Sequence, residues 1–260
     1  MLKVEKSGGV ARVILDRPEV RNAFDDALIQ RLHATFVSLG EDRDVRVVVL
    51  GGNGPAFCAG ADLNWMKRMA GYSREQNVAD ARALAEMLAA LDRLPKPTVA
   101  RVHGAAFAGG TGLVAACDIA VGTPEAKFCF SEAKLGLSPA TISPHVLRAI
   151  GVRAARRYFL TAEVFDAAEA YRIGLLTLLV SPGDLDAEIQ ELLRHLLAGG
   201  PEAMKKIKQL IRDVAGRAVG DALIADTAER IAEIRASAEG REGIASFLEK
   251  RKPAWTSKKS

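Results

Sequence analysis

The run VRVVVLGG, residues 45–52, constrains the fold more than any other stretch. Apart from Arg46 it is a continuous run rich in β-branched residues with no polar alternation, the pattern of a strand covered on both faces. Such strands belong to parallel sheets flanked by helices, so an α/β architecture is expected. TVARVHG, residues 98–104, reads as a second strand. It follows a helical stretch, roughly 74–94, that carries Leu84, Leu88 and Leu91 on one face and is stopped by Pro95 and Pro97. Upstream, LKVEK-SGG-VARVILD reads as a hairpin around Ser7–Gly9. A helix is expected from about Asp25, its cap, with Leu28, Leu32, Phe36 and Leu39 at helical spacing. Residues 53–60 read as a loop into a helix from about Ala61, and 113–117 as a short buried helix. DIAVG and KFCFSE read as short strands, and beyond Pro144 the pattern is mainly helical apart from LLTLLV at 175–180.

Composition excludes several classes. The chain has 260 residues, 49% of them hydrophobic and 26% charged, which is the balance of a globular protein and not of a disordered or fibrous one. Its 36 basic and 32 acidic residues are interspersed, leaving a net charge of +4 and no nucleic-acid-binding stripe. The one basic cluster, RAARR at 153–157, is expected to be a solvated helix face or a subunit contact. Cys58, Cys117 and Cys129 lack CxxC spacing, so reduced buried thiols and a cytoplasmic location are expected. The N-terminus breaks into charge and glycine before a signal core forms, and no apolar run reaches the roughly 18 residues a membrane span requires. His33, His103, His145 and His195 lack metal-ligand spacing, so no metal is expected.

Two loops remain that suit chemistry. FCAGADL, 57–63, and FAGGTGL, 107–113, each place small residues where a strand becomes a helix. Backbone N–H groups left free there, two of them aimed at one thioester oxygen, form an oxyanion hole for an enolate. For either loop alone, tight strand–helix packing explains the small residues equally well.

LDRPEVRNAF, FCAGADL, PTVARVHGAAFAGGTGLVAACDIAV and KFCFSEAKLGL, in this order and closing with GIASFLEKRKPAW, resemble the crotonase (enoyl-CoA hydratase/isomerase) superfamily nearly end to end. The resemblance implies an α/β spiral of ββα units with an acyl-CoA site over residues 1–199. It implies a helical C-terminal subdomain over 200–260 that builds a homotrimer or a hexamer. Carried over, it places the oxyanion donors at the N–H groups of Ala59 and Gly109. Arg21, Ala23, Ala61, Asp62 and Leu63 fall on segments lining the coenzyme A site, and Phe247 and Lys250 match positions that reach coenzyme A from a neighbouring subunit. Coenzyme A enters as part of the substrate, and no separate cofactor is implied.

The family's hydratases use two glutamates 20 positions apart. Glu132 matches the second, and 132 − 20 = 112 is a glycine. Chemistry with one carboxylate is therefore expected: either hydration with water in the space left open at Gly112, Glu132 serving both water and the α carbon or a carboxylate on the substrate assisting, or proton transfer between C2 and C4 by Glu132 as an isomerase. GADLNWM, FSEAKLGLSPATISPHV and AIGVRAARRYFLTAEVFDA are further similar to bacterial hydratases of 3-methylglutaconyl-CoA and isohexenylglutaconyl-CoA, which act in leucine and acyclic-terpene breakdown. The second carboxylate of such substrates would need a partner, for which Lys67, Arg68, Lys134, Ser138 and His145 are candidates. A non-catalytic coenzyme A- or RNA-binding homologue is the reading from another class, and the balanced charges of helix 74–94 speak against RNA.

Overall fold

The computed structural model describes residues 1–256. The hairpin forms as expected: β1 (Leu2–Ser7) pairs antiparallel with β2 (Val10–Leu15), and Gly8 and Gly9 both take positive φ in the turn. α1 (Asp26–Glu41) starts at Asp25, whose side chain accepts from Leu28 N at 2.8 Å, and buries Leu28, Ile29, Leu32, Phe36 and Leu39. The aliphatic run becomes β3 (Val47–Gly52), buried throughout its length.

From here a β–β–α unit recurs. β3, β4 (Ala56–Cys58) and α2 (Leu63–Met69) form one, with α3 (Arg74–Asp92) added; β5 (Thr98–Val102), β6 (Ala105–Phe107) and α4 (Gly109–Ala116) form the next. β7 (Ile119–Gly122), β8 (Lys127–Cys129), a 3-10 turn over Ser131–Leu135 and α5 (Ser143–Thr161) form the third. In every unit the first strand extends one sheet and the second strand another. With β9 (Phe165–Asp166) and β10 (Leu178–Leu179), the orders are β1-β2-β3-β5-β7-β10 and β4-β6-β8-β9. All pairings from β2 onward in the larger sheet are parallel, so the α/β spiral is present. The smaller sheet was largely unexpected: β4 lies inside the segment read as a loop, and α4 begins four residues earlier than anticipated, inside the glycine cluster.

The remaining helices are α6 (Ala167–Arg172), α7 (Leu185–Ala198), α8 (Pro201–Val214), α9 (Asp221–Ala236) and α10 (Ala238–Leu248). α7 covers the outer face of the large sheet with Leu185, Ile189 and Leu193, which pack with Val10, Val47, Val49, Val99 and Val121. Two polar ties hold the C-terminal segment to the sheet. Lys208 of α8 is buried and donates to Asp118 at 2.6 Å and to the Lys96 carbonyl at 3.0 Å. Arg46 donates to the carbonyls of Trp255, at 2.9 Å, and of Gly199, while its Nε is buried without an acceptor. Among the described residues no helix is long and apolar enough to cross a membrane.

Candidate active site

The two loops singled out above leave the C-terminal ends of β4 and β6, neighbouring parallel strands of the small sheet. Crevices outside the carboxyl ends of parallel strands are where α/β proteins bind ligands. The loops touch. A Cβ on Gly60 would lie 3.1 Å from the Phe107 carbonyl oxygen, and one on Gly110 only 2.4 Å from the Cys58 carbonyl oxygen. The glycine at 110 is thus required by the close approach of α4 to β4, the packing alternative rather than ligand approach.

Phe24 joins them. It forms an isolated parallel bridge with Ala61, Phe24 N donating to Gly60 O and Asp62 N to Phe24 O, each at 2.7 Å. A parallel bridge turns the bridged residue's own N–H to the opposite side. Ala61 N–H accordingly has no acceptor among the described residues. Ala59, the donor implied by the resemblance, is corrected: its N–H is spent on the Arg21 carbonyl at 3.0 Å. At the Phe24 bridge the N–H left free is that of Ala61.

In the second loop, Gly109, Gly110 and Thr111 open α4, and their N–H groups have no acceptor within the helix, as at any helix start. The first intrahelical bond runs from Gly112 N to Ala108 O. Ala108 holds φ 47° and ψ −115°, a conformation that L residues rarely adopt. The strained residue sets the direction in which α4 leaves β6. Gly109 packs against Phe24, whose Cε2 would be 2.7 Å from a Cβ there. Ala61, bridged to the Phe24 backbone, and Gly109, packed on the Phe24 ring, are thus linked through one phenylalanine, each with an unpaired N–H group.

Glu132 lies in the 3-10 turn that follows β8, beside β6 in the same sheet. Its Oε2 is buried with no hydrogen-bond partner, and burial raises its pKa above the usual carboxylate value. Native proteins leave few buried polar atoms unpaired, so this carboxyl is a candidate for acid–base chemistry.

The other expected residues divide. Arg21, in a left-handed conformation, and Leu63 are exposed, and Ala23 is buried. Asp62 caps α2 by accepting from Asn64 N and Trp65 N, and it pairs with Arg17 at 3.2 Å, so its carboxylate is already engaged. Phe247 is 80% exposed and Lys250 is exposed, both at the end of α10. Of the candidates for a distal carboxylate, Arg68 pairs with Asp26, while His145 is buried beside Arg148 and Asp92 with its pKa lowered by burial. Lys67, Lys134 and Ser138 are exposed. The space at Gly112 is not open: Ile142 fills it, with Cγ2 2.4 Å from where a Cβ would stand.

Sequence reasoning missed Asn22. Fully buried and left-handed at φ 57°, it donates to the carbonyls of Asn53 and Ala56 and accepts from Arg17 N. That turn delivers the Arg21 carbonyl to Ala59 and Phe24 to Ala61. The available signal was asparagine's tolerance of the left-handed region.

The family model for enoyl-CoA hydratase/isomerase matches residues 5–258. The chain belongs to that family. The short-chain-enoyl-CoA hydratase of Clostridium acetobutylicum is 30% identical over 255 residues, 96% of this chain and 95% of that one. Among solved structures, an enoyl-CoA hydratase from Shewanella pealeana is 44% identical with a TM-score of 0.95, covering 98% of this chain and 95% of that one. Pseudomonas aeruginosa AtuE is 36% identical with a TM-score of 0.93, covering 98% and 99%. Membership places the spiral of ββα units within the crotonase fold.

Proposed function

We propose that the protein hydrates, and in reverse dehydrates, an enoyl-CoA through a thioester enolate, with Glu132 as its single acid–base residue. The observation that carries this reading is the buried, unpartnered Oε2 of Glu132 on the strand layer that also bears the two loops. Glu132 takes a proton from water as the water oxygen adds to C3. The C2–C3 π electrons move toward the thioester, and Ala61 and Gly109 N–H receive the negative oxygen. The protonated Glu132 then returns its proton to C2, so that water is added across the double bond and the carboxylate is regenerated. Each N–H donor is worth about 3 kcal/mol of transition-state stabilisation in comparable sites.

For the acyl group we favour a branched glutaconyl-CoA such as 3-methylglutaconyl-CoA, on the similarity of the segments that carry Glu132 and α2. Lys67 and Lys134 are the exposed cations, without an ion pair among the described residues, that suit the distal carboxylate. Arg21, Ala23, Ala61, Asp62 and Leu63 are assigned to coenzyme A, Asp62 through its place in the loop, with Phe247 and Lys250 reaching a neighbouring subunit's coenzyme A in a homotrimer or hexamer. No separate cofactor enters, and we assign the protein to the cytoplasm.

The filled space at Gly112 favours one second reading: migration of a double bond by Glu132, moving a proton between C2 and C4 with no water. Incubation with 3-methylglutaconyl-CoA followed by mass spectrometry separates the two. Water gained by the native enzyme and not by Glu132→Gln supports hydration; an unchanged mass with a shifted double bond in a 3-enoyl-CoA supports isomerisation.

A further inference from the structure

Gly112 lies three residues after Gly109 on α4, hence on the same face, and a side chain there leans back toward the helix start. That direction leads to the free N–H groups. The place is taken by Ile142, 1% exposed, whose Cγ2 and Cβ would be 2.4 and 3.0 Å from a Cβ on Gly112, with Leu88 Cδ1 at 3.7 Å. Ile142 cannot readily withdraw. Its β-branched side chain is stiff about χ1, and its backbone carbonyl accepts from Val146 N and His145 N, each at 3.1 Å, where α5 begins. While Ile142 stands there no water fits beside Gly112, because its Cγ2 occupies the place of a first side-chain atom.

We propose that Ile142 is a specificity-determining residue: by sealing the α4 side of the acyl site it removes a second proton-transfer position, so that hydration requires a substrate that brings its own carboxylate. This rests on the assignment of Glu132 and the thioester enolate made above. The substrate's distal carboxylate accepts a hydrogen bond from one O–H of the attacking water and holds its oxygen toward C3. Glu132 removes the other proton and later hands it to C2. The distal carboxylate is neither protonated nor consumed. A plain enoyl thioester lacks that acceptor.

The test compares kcat/KM for 3-methylglutaconyl-CoA and crotonyl-CoA in the native enzyme, Ile142→Ala, Gly112→Glu and the double variant. The native enzyme is expected to prefer the diacid-derived thioester. The double variant should lower that preference at least about tenfold by gaining crotonyl-CoA turnover, within the range general acid–base groups supply. Ile142→Ala alone should shift it in the same direction by admitting water, and Gly112→Glu alone should gain nothing while Ile142 stands in its way. An unchanged preference in Ile142→Ala, with native elution volume and circular dichroism, overturns the proposal; so does full crotonyl-CoA activity in Gly112→Glu alone. If the double variant does not fold, Ile142→Ala decides. Deuterium exchange at C2 of butyryl-CoA in D2O, native against Glu132→Gln, checks the foundation independently. No Glu132-dependent exchange sinks the acid–base assignment itself, whereas exchange with an unchanged preference sinks only the role of Ile142.

Discussion

In the role proposed for it Glu132 trades stability for reactivity, and the sign of that trade is testable. Burial disfavours its charged form, so its folded pKa lies above the ordinary 4.5. The cost is absent below the unfolded pKa, where the carboxyl is neutral in both states, and it grows as pH rises through the folded value. Glu132→Gln should therefore melt higher than the native protein at neutral pH, with the advantage shrinking toward about pH 4, while activity falls by about 10²–10⁴. Differential scanning fluorimetry across pH and the hydration assay read the two effects; a native protein more stable than the variant at neutral pH would refute the buried, unpaired carboxyl. The acid limb of the native kcat/KM profile should likewise lie above pH 4.5. Ala108 makes the same kind of trade through its backbone. Relieving its conformation with Ala108→Gly should raise stability by about 1 kcal/mol in urea titration, strain relief outweighing added unfolded-state entropy, and lower kcat by loosening the start of α4.

Among elements, those that announce themselves in the sequence are the long ones. β3 and α1 carry enough residues for an aliphatic run or a helical period to stand out. β4 and β6 have three residues each, too short for any period, and they hold together by pairing with each other and with β8. α4 starts in a glycine cluster of poor helix propensity because close packing against Cys58 and Phe24 outweighs that propensity. The site shows the same division. Glu132, Gly109 and the glycine at 112 can be nominated from spacing and resemblance, whereas the choice of Ala61 over Ala59 depends on which N–H the Arg21 and Phe24 turn consumes. Asp118 illustrates a residue whose part only the fold reveals. It lies between α4 and β7, accepts from Thr98 N and Oγ1, and receives Lys208 of α8. Lys208→Met should cost about 2–3 kcal/mol, since a charged hydrogen bond is lost from a half-buried carboxylate. Chemical denaturation measures it, and a change under about 0.5 kcal/mol would show the tie to be ornamental at the surface.

For the whole molecule, the C-terminal helices leave apolar side chains uncovered in a single chain. Ile207, Ile211, Ile231, Phe247 and Leu248 are all exposed, and a cleft of about 640 Å³ between α8 and α9 is lined in part by Ile207, Leu210, Ile231 and Ile234. Exposed apolar surface of this kind suits the contacts between chains proposed above. Ile211→Glu combined with Ile231→Glu should shift the particle from an oligomer to the mass of one chain in light scattering after gel filtration. Native protein that already runs as a monomer would remove the basis for assigning Phe247 and Lys250 to a neighbour's coenzyme A.

The tie between Arg46 and the Trp255 carbonyl also sets a timetable. The two residues lie 209 positions apart. At roughly 5–20 residues per second, ribosomal synthesis separates them by roughly 10 to 40 s. Over that interval β1, β2, β3, β5 and β7 have all emerged and have their partners in the large sheet, while the Arg46 guanidinium still lacks the Trp255 carbonyl. The nascent sheet is thus born unlatched, and its latch follows 209 residues behind Arg46.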